Sequence, residues 1–176
     1  ENSRIFNGLG DRRGEAYSLN SLGNLAINAC NYDEAFGYLS KASEIFREIG
    51  DRRGTAFALC SLGNTAFHNG DAVQAGTLLE ECIGIFKAID DKAGLAFGLF
   101  TFGGVLLKGR DHNGAKLRLS ESLELSREIS HKPGAAFNLH YLGMLGLMQK
   151  EYGPAAENFS ESLRLCIELG LKKEIA

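Results

Sequence analysis

Apolar side chains at positions 16, 19, 22 and 26, and then at 35, 39, 42, 45, 46 and 49, advance mostly by three or four residues. That spacing gathers them on one face of a helix. A polar break from Asn28 to Tyr32 separates the two sets, so the opening stretch predicts two amphipathic helices joined by a short turn. The pattern then recurs without slippage. Stepping by 40 from Leu22-Gly23 leads to Leu62-Gly63, Phe102-Gly103 and Leu142-Gly143. The same step links Ala16, Ala56, Ala96 and Ala136, and it links Leu39, Leu79, Leu119 and Phe159. Even the segment GDRRGEAYSLNSLGN, Gly10 to Asn24, returns as GDRRGTAFALCSLGN from Gly50 to Asn64. A fixed period of this length implies a stack of similar units in place of one globule.

The polar positions locate the breaks. Asn69-Gly70-Asp71, Gly109-Arg110-Asp111 and Lys150 to Gly153 divide first from second helices, whereas Gly50-Asp51, Asp90-Asp91 and Ser130-His131 divide one unit from the next. Asp11, Asp51 and Asp91, and then Asn31, Asp71 and Asp111, stand where an N-cap side chain accepts from the free amides of the following first turn. Pro133 and Pro154 fall in predicted first turns, where no intrahelical N–H is lost. Repeats are expected at about 11–50, 51–90, 91–130 and 131–170, forming one array over 1–176. Residues 1–10 align with the end of a second helix, and 171–176 with the start of a first helix. A glycine inside a helix costs about 1 kcal/mol relative to alanine. Four of them in phase, Gly23, Gly63, Gly103 and Gly143, therefore predict a close approach by the second helix of each unit.

Leu22-Gly23 in the first helix, followed by Ala35, Leu39 and Ala42 in the second, resembles the tetratricopeptide repeats. The later units carry Ala75, Leu79 and Cys82, then Ala115, Leu119 and Ser122, then Ala155, Phe159 and Ser162. The period of 40 exceeds the family's usual length of about 34, and the first-helix Trp and closing Pro are missing. The longer period, together with the repeated segment GDRRGxAxxLxxLGN, is similar to the variant in spindle-orientation adaptors and in the sensor arrays of bacterial multidomain regulatory ATPases of the maltose-activator type. The resemblance implies an all-α, right-handed superhelical solenoid of antiparallel helix pairs, four repeats long with partial helices at both ends. First helices would line its concave side and hold a protein or peptide segment.

Carried over by position, the resemblance implies ligand contact by Asn20, Asn24 and Asn28 in the first unit and by Asn64 and His68 in the second. It implies the same for Phe100 and Lys108 in the third unit and for His140, Tyr141, Met144 and Met148 in the fourth. Amides can both donate to and accept from a peptide backbone. Phe100, Tyr141 and the methionines suit apolar side chains, although Phe100 and Met144 could equally pack against neighbouring helices. The expected ligand is polar at one end and apolar at the other. The carboxylate clamp of chaperone-binding relatives is not matched, since the fifth positions are Asn20, Cys60, Phe100 and His140. The expected function is a protein-interaction scaffold, a piece of a larger adaptor or regulator. The alternative is the sensing domain of a bacterial ATPase or transcriptional regulator that binds a small molecule or peptide effector.

Charge and composition narrow this further. With 176 residues, 44% of them hydrophobic, the chain can bury a core. Its 19 basic and 22 acidic side chains leave a net charge of -3, so bulk electrostatics do not point to nucleic acid. The basic row Arg12-Arg13, Arg52-Arg53 and Lys92 adjoins Asp11, Asp51 and Asp91, and inter-repeat ion pairs are the expectation there. The apolar run from Leu95 to Leu107 is too short to span a bilayer, which takes about 20 residues. Cys30, Cys60, Cys82 and Cys166 lack metal or redox spacing and read as reduced thiols of a cytoplasmic protein. His68, His112, His131 and His140 have no partner at ligand spacing, and no serine stands in a nucleophile motif. No catalysis, metal or cofactor is expected. Neither end carries a polar cap, so bare ends could pair with another copy.

Overall fold

The computed structural model describes residues 11–170. Among these, eight α-helices follow one another with no strand: α1 (Arg12–Asn28), α2 (Tyr32–Glu48), α3 (Arg52–His68), α4 (Ala72–Ala88), α5 (Lys92–Lys108), α6 (His112–Glu128), α7 (Lys132–Met148) and α8 (Tyr152–Glu168). First helices start 40 residues apart, as the apolar phase predicts. The alignments drawn for residues 1–10 and 171–176 lie outside the described residues.

One turn closes every helix. Its middle residue is left-handed, at Cys30, Gly50, Gly70, Asp90, Arg110, Ser130, Lys150 and Gly170. After the first seven of these the next residue sends its N–H back to a carbonyl of the finished helix, as from Asp51 to Phe46 (2.8 Å) and from His131 to Ser126 (2.7 Å). Free carbonyls at the helix end are thereby satisfied. The same residue then stands at the N-cap of the next helix, although Glu151 makes no side-chain bond there. Asp11, Asp51, Asp71, Asp91 and Asp111 accept through Oδ1 from the amide three residues on, at 2.8–2.9 Å. Asn31 makes no such bond, contrary to expectation. His131 does, accepting through Nδ1 from Gly134 N (3.2 Å).

The chain divides into two compact units, Glu1–Gly94 and Leu95–Ala176. In the first, α1 packs on α2, α2 on α3 and α3 on α4. Ala16 and Leu19 of α1, Ala42, Ile45 and Phe46 of α2, and Ala58 of α3 form its core, rimmed by Tyr38 and Ile49. Each buried Leu, Ile or Phe there stabilises by about 1.5–3 kcal/mol. In the second unit α7 packs on both α6 and α8. Leu123, Ala135, Ala136, Leu139 and Leu165 make one cluster there, and Leu107, Ala115 and Leu145 another.

The in-phase glycines do mark close approach, but a side chain fills most of the space. A Cβ on Gly23 would lie 2.5 Å from Leu39 Cγ, and one on Gly143 would lie 2.8 Å from the Phe159 ring. Backbone comes near only at Gly63, 3.2 Å from Ala75 O, and at Gly103, 3.3 Å from Leu119 N. The large residue of each second helix seats itself on the bare turn of the first.

The expectation of four reduced cysteines is corrected. Cys60 of α3 and Cys82 of α4 are joined by a disulfide, with Cα atoms 5.8 Å apart, while Cys30 and Cys166 are free. Their sequence separation of 22 hides what the hairpin does: it folds the two helices antiparallel and brings these positions face to face.

Candidate functional site

In the first unit the predicted contact residues ride on α1 and α3. Asn20, Asn24 and Asn28 are spaced by four residues and share one face of α1. Asn24 and Asn28 are exposed, and Asn20 is half-buried. The Asn20 Oδ1 is shielded from solvent and accepts no hydrogen bond from the protein. Ser61 Oγ on α3 donates to Asn24 Oδ1 (2.9 Å), tying the two first helices together at this face. Asn64 lies one turn beyond Ser61 and is half-buried. His68, ending α3, stacks flat on Tyr32 of α2, with ring centroids 4.5 Å apart and planes 4° apart. Its ring therefore serves the joint between helices. Cys60, the fifth position of this unit, is wholly buried in its disulfide and offers nothing to a ligand.

In the second unit Phe100 and Lys108 belong to α5, and His140, Tyr141, Met144 and Met148 to α7. Phe100 meets Tyr141 edge to face (5.2 Å) and Phe137 at a tilt (6.4 Å), which makes it part of the α5–α7 packing. His140 is exposed and its ring lies edge-on to Phe159 at 5.5 Å. Tyr141 and Met144 are half-buried. Leu147 and Met148, both about half exposed, end α7 as an apolar pair at the surface. A cavity of about 60 Å³ opens between Leu142, Leu145, Gln149, Pro154 and Asn158. It has room for about two waters and is lined by none of the predicted residues.

Away from this face, caps and ion pairs share atoms. Asp91 accepts from Gly94 N through Oδ1 and from Arg53 Nε through Oδ2 (2.7 Å). Burial pushes its carboxyl up, but the hydrogen bonds from Arg53 and the backbone amides, with the Arg53 charge, outweigh that and hold it below the ordinary carboxylate value. Asp51 is used alike by Gly54 N and Arg13 Nε (3.4 Å), and Arg12 reaches Glu15 and Glu48. These basic groups are matched by acids, as expected. The described residues contain no cluster of three or more His, Cys, Asp or Glu that could hold a metal, and no helix among them is long and apolar enough to cross a membrane.

Among solved structures, a crystal structure of BtubC (BKLC) from P. vanneervenii superposes on 91% of the chain with a TM-score of 0.78. Sequence identity is 15%, so the likeness is one of fold, and the chain spans 66% of the length of that protein. No curated protein matches significantly in sequence. The family model described as tetratricopeptide repeat matches residues 14–88, which cover both hairpins of the first unit. Residues 14–88 are tetratricopeptide repeats. The α7–α8 hairpin keeps the 17-residue helices, the left-handed turn residue and the 40-residue phase of the matched tetratricopeptide-repeat hairpins.

Some working groups of these repeats escaped the sequence. His131 as a cap was legible in principle, because it falls in phase with Asp11, Asp51 and Asp91. The buried chain from Asn138 Nδ2 to Ser122 Oγ (2.9 Å), and from Ser122 Oγ to Ala96 O (2.7 Å), was not. Nothing at positions 18, 58 and 98, held by Ser, Ala and Gly, signals an amide there.

Proposed function

We propose that the chain is a protein-interaction module that binds a polypeptide segment along its first helices. Tetratricopeptide repeats generally serve as interaction scaffolds, and residues 14–88 carry them. The observation that supports this most directly is the row of amides on one face of α1, with Asn24 and Asn28 exposed and Asn20 half-buried beside them. Amides presented to solvent in this way can both donate to and accept from a peptide backbone. Asn20 and Asn64 then read the backbone of the segment in the first unit, and Asn24 adds its amide donor while its oxygen stays on Ser61. In the second unit Leu147 and Met148 receive apolar side chains, Met adapting to varied shapes.

A random-peptide display library selected on the immobilised chain tests the proposal. Selected peptides are then titrated calorimetrically against the wild type and against Asn20→Ala and Asn64→Ala. Each amide lost should weaken binding about 5- to 30-fold, the equivalent of one or two kcal/mol. Selection of no peptide, or equal affinity for all three proteins, contradicts the reading.

A further inference from the structure

We propose that the cavity between α6, α7 and α8 is a binding site for a free α-amino acid with a short aliphatic side chain. The inference goes beyond the polypeptide reading above and does not depend on it.

The walls set the chemistry of the ligand. Leu142 and Leu145 of α7 and the Pro154 ring in the first turn of α8 form the apolar part, and Asn158 of α8 adds an amide. Lys116 of α6 and Glu151 of the α7–α8 turn complete the lining, with Nζ and Oε2 3.5 Å apart and both side chains about half exposed. That separation exceeds the roughly 2.7–2.9 Å of a charge-assisted hydrogen bond, and an exposed pair of this kind opens at little cost. A lone anion would meet Glu151 with like charge, and a lone cation would meet Lys116. A molecule with both charges on one carbon satisfies the two together, its carboxylate on Lys116 and its ammonium on Glu151. The cavity of about 60 Å³, which has room for about two waters, then takes a side chain of about two or three carbons against Leu142, Leu145 and Pro154.

The repeat shows how far these walls depart from its own pattern. Asn158 is smaller than its in-phase counterparts Tyr38, Leu78 and Arg118. In the third hairpin the Arg118 guanidinium lies over the ring of Phe102 (5.3 Å), where the fourth has only Asn158 and Leu142. Lys116 follows Phe36 and Gly76, so its charge is new at this position. Glu151 differs as well. Asp71 and Asp111 place their carboxylates on the amides of the following first turn, whereas Glu151 makes no cap bond and turns its carboxylate to Lys116. Lost bulk, a new cation and a carboxylate released from capping therefore coincide at one cavity.

An amide-detected NMR titration of the 176-residue chain with L-valine reads the proposal. Saturable shifts should appear around Lys116 and over residues 142–158. N-acetyl-L-valine lacks the ammonium and L-valinamide lacks the carboxylate, and each should bind about tenfold more weakly or worse. Lys116→Gln and Glu151→Gln should weaken L-valine by a similar factor. Leu142→Phe and Asn158→Arg, which restore the residues of the third hairpin, should each abolish the shifts with unchanged helical circular dichroism. Asn158 is half-buried, so its variant keeps the test in force if Leu142→Phe does not fold. Asn20→Ala and Asn64→Ala, which probe the polypeptide face, should leave L-valine binding as it was. No saturable shift, equal binding of the blocked derivatives, or an Asn158→Arg chain that binds like wild type overturns the proposal.

Discussion

Gly63 and Leu79 occupy each other's space: a Cβ built on the glycine would lie 2.6 Å from the leucine's Cγ, with Ala75 O at 3.2 Å. Leu79 is wholly buried, so its side chain has no solvent to swing into. The ordinary helix gain of a Gly→Ala change, about 1 kcal/mol, is opposed here by overpacking of about 1–3 kcal/mol. Gly63→Leu, with a longer side chain, should lower the thermal midpoint markedly, and Gly63→Ala should lower it less. Leu79→Ala alone should cost about 2–5 kcal/mol, and the Gly63→Ala, Leu79→Ala pair should cost less than the sum of its parts. Unchanged melting of Gly63→Leu would remove the contact from the account.

Asp91 links the cap of α5 to Arg53, and its carboxyl titrates below the ordinary value of about 3.9 in the folded chain. A depressed folded pKa means the unfolded chain takes up the proton first as pH falls. The stability it contributes is complete above the unfolded value and is lost as pH drops through the folded one. Asp91→Asn keeps a capping oxygen but removes the charge. The variant should be less stable than wild type near neutral pH, by below about 1 kcal/mol because Arg53 is largely exposed. The gap should close as pH falls below the unfolded value of about 3.9 and through the lower folded one. Urea midpoints measured across that range check both the sign and the window.

The Cys60–Cys82 bond closes a loop between residues 22 apart in the sequence. Constraining the unfolded chain in this way contributes about 3 kcal/mol. Thiol titration of the denatured, unreduced chain should count two groups, Cys30 and Cys166. After reduction it should count all four, and the urea midpoint should fall. Four thiols before any reductant would remove the bond from the account.

What the sequence makes legible here is whatever depends on phase. The helices, their turns and five aspartate caps follow from a period of 40 and from polar residues at its breaks. What it hides depends on which side chains meet across helices. Asn24 read as a free amide, yet Ser61 of the next first helix holds its oxygen. Phe100 reads as part of a ligand surface, and its ring also meets Tyr141 edge to face. His68 was grouped with the binding face and turns its ring to Tyr32. Each of these contacts joins residues 36–41 apart, and a single helix pattern carries no signal at that range. Asn31 makes no side-chain bond to the first turn, although its backbone closes the turn as the others do.

Polypeptide binding along first helices is the central functional claim. Hydrogen–deuterium exchange of the chain, with and without a display-selected peptide, measures this residue by residue. Added protection over residues 20–28 of α1 and 60–68 of α3, with α2 and α4 unaffected, is the predicted result. Protection confined to α2 and α4, with α1 and α3 exchanging as before, would contradict it.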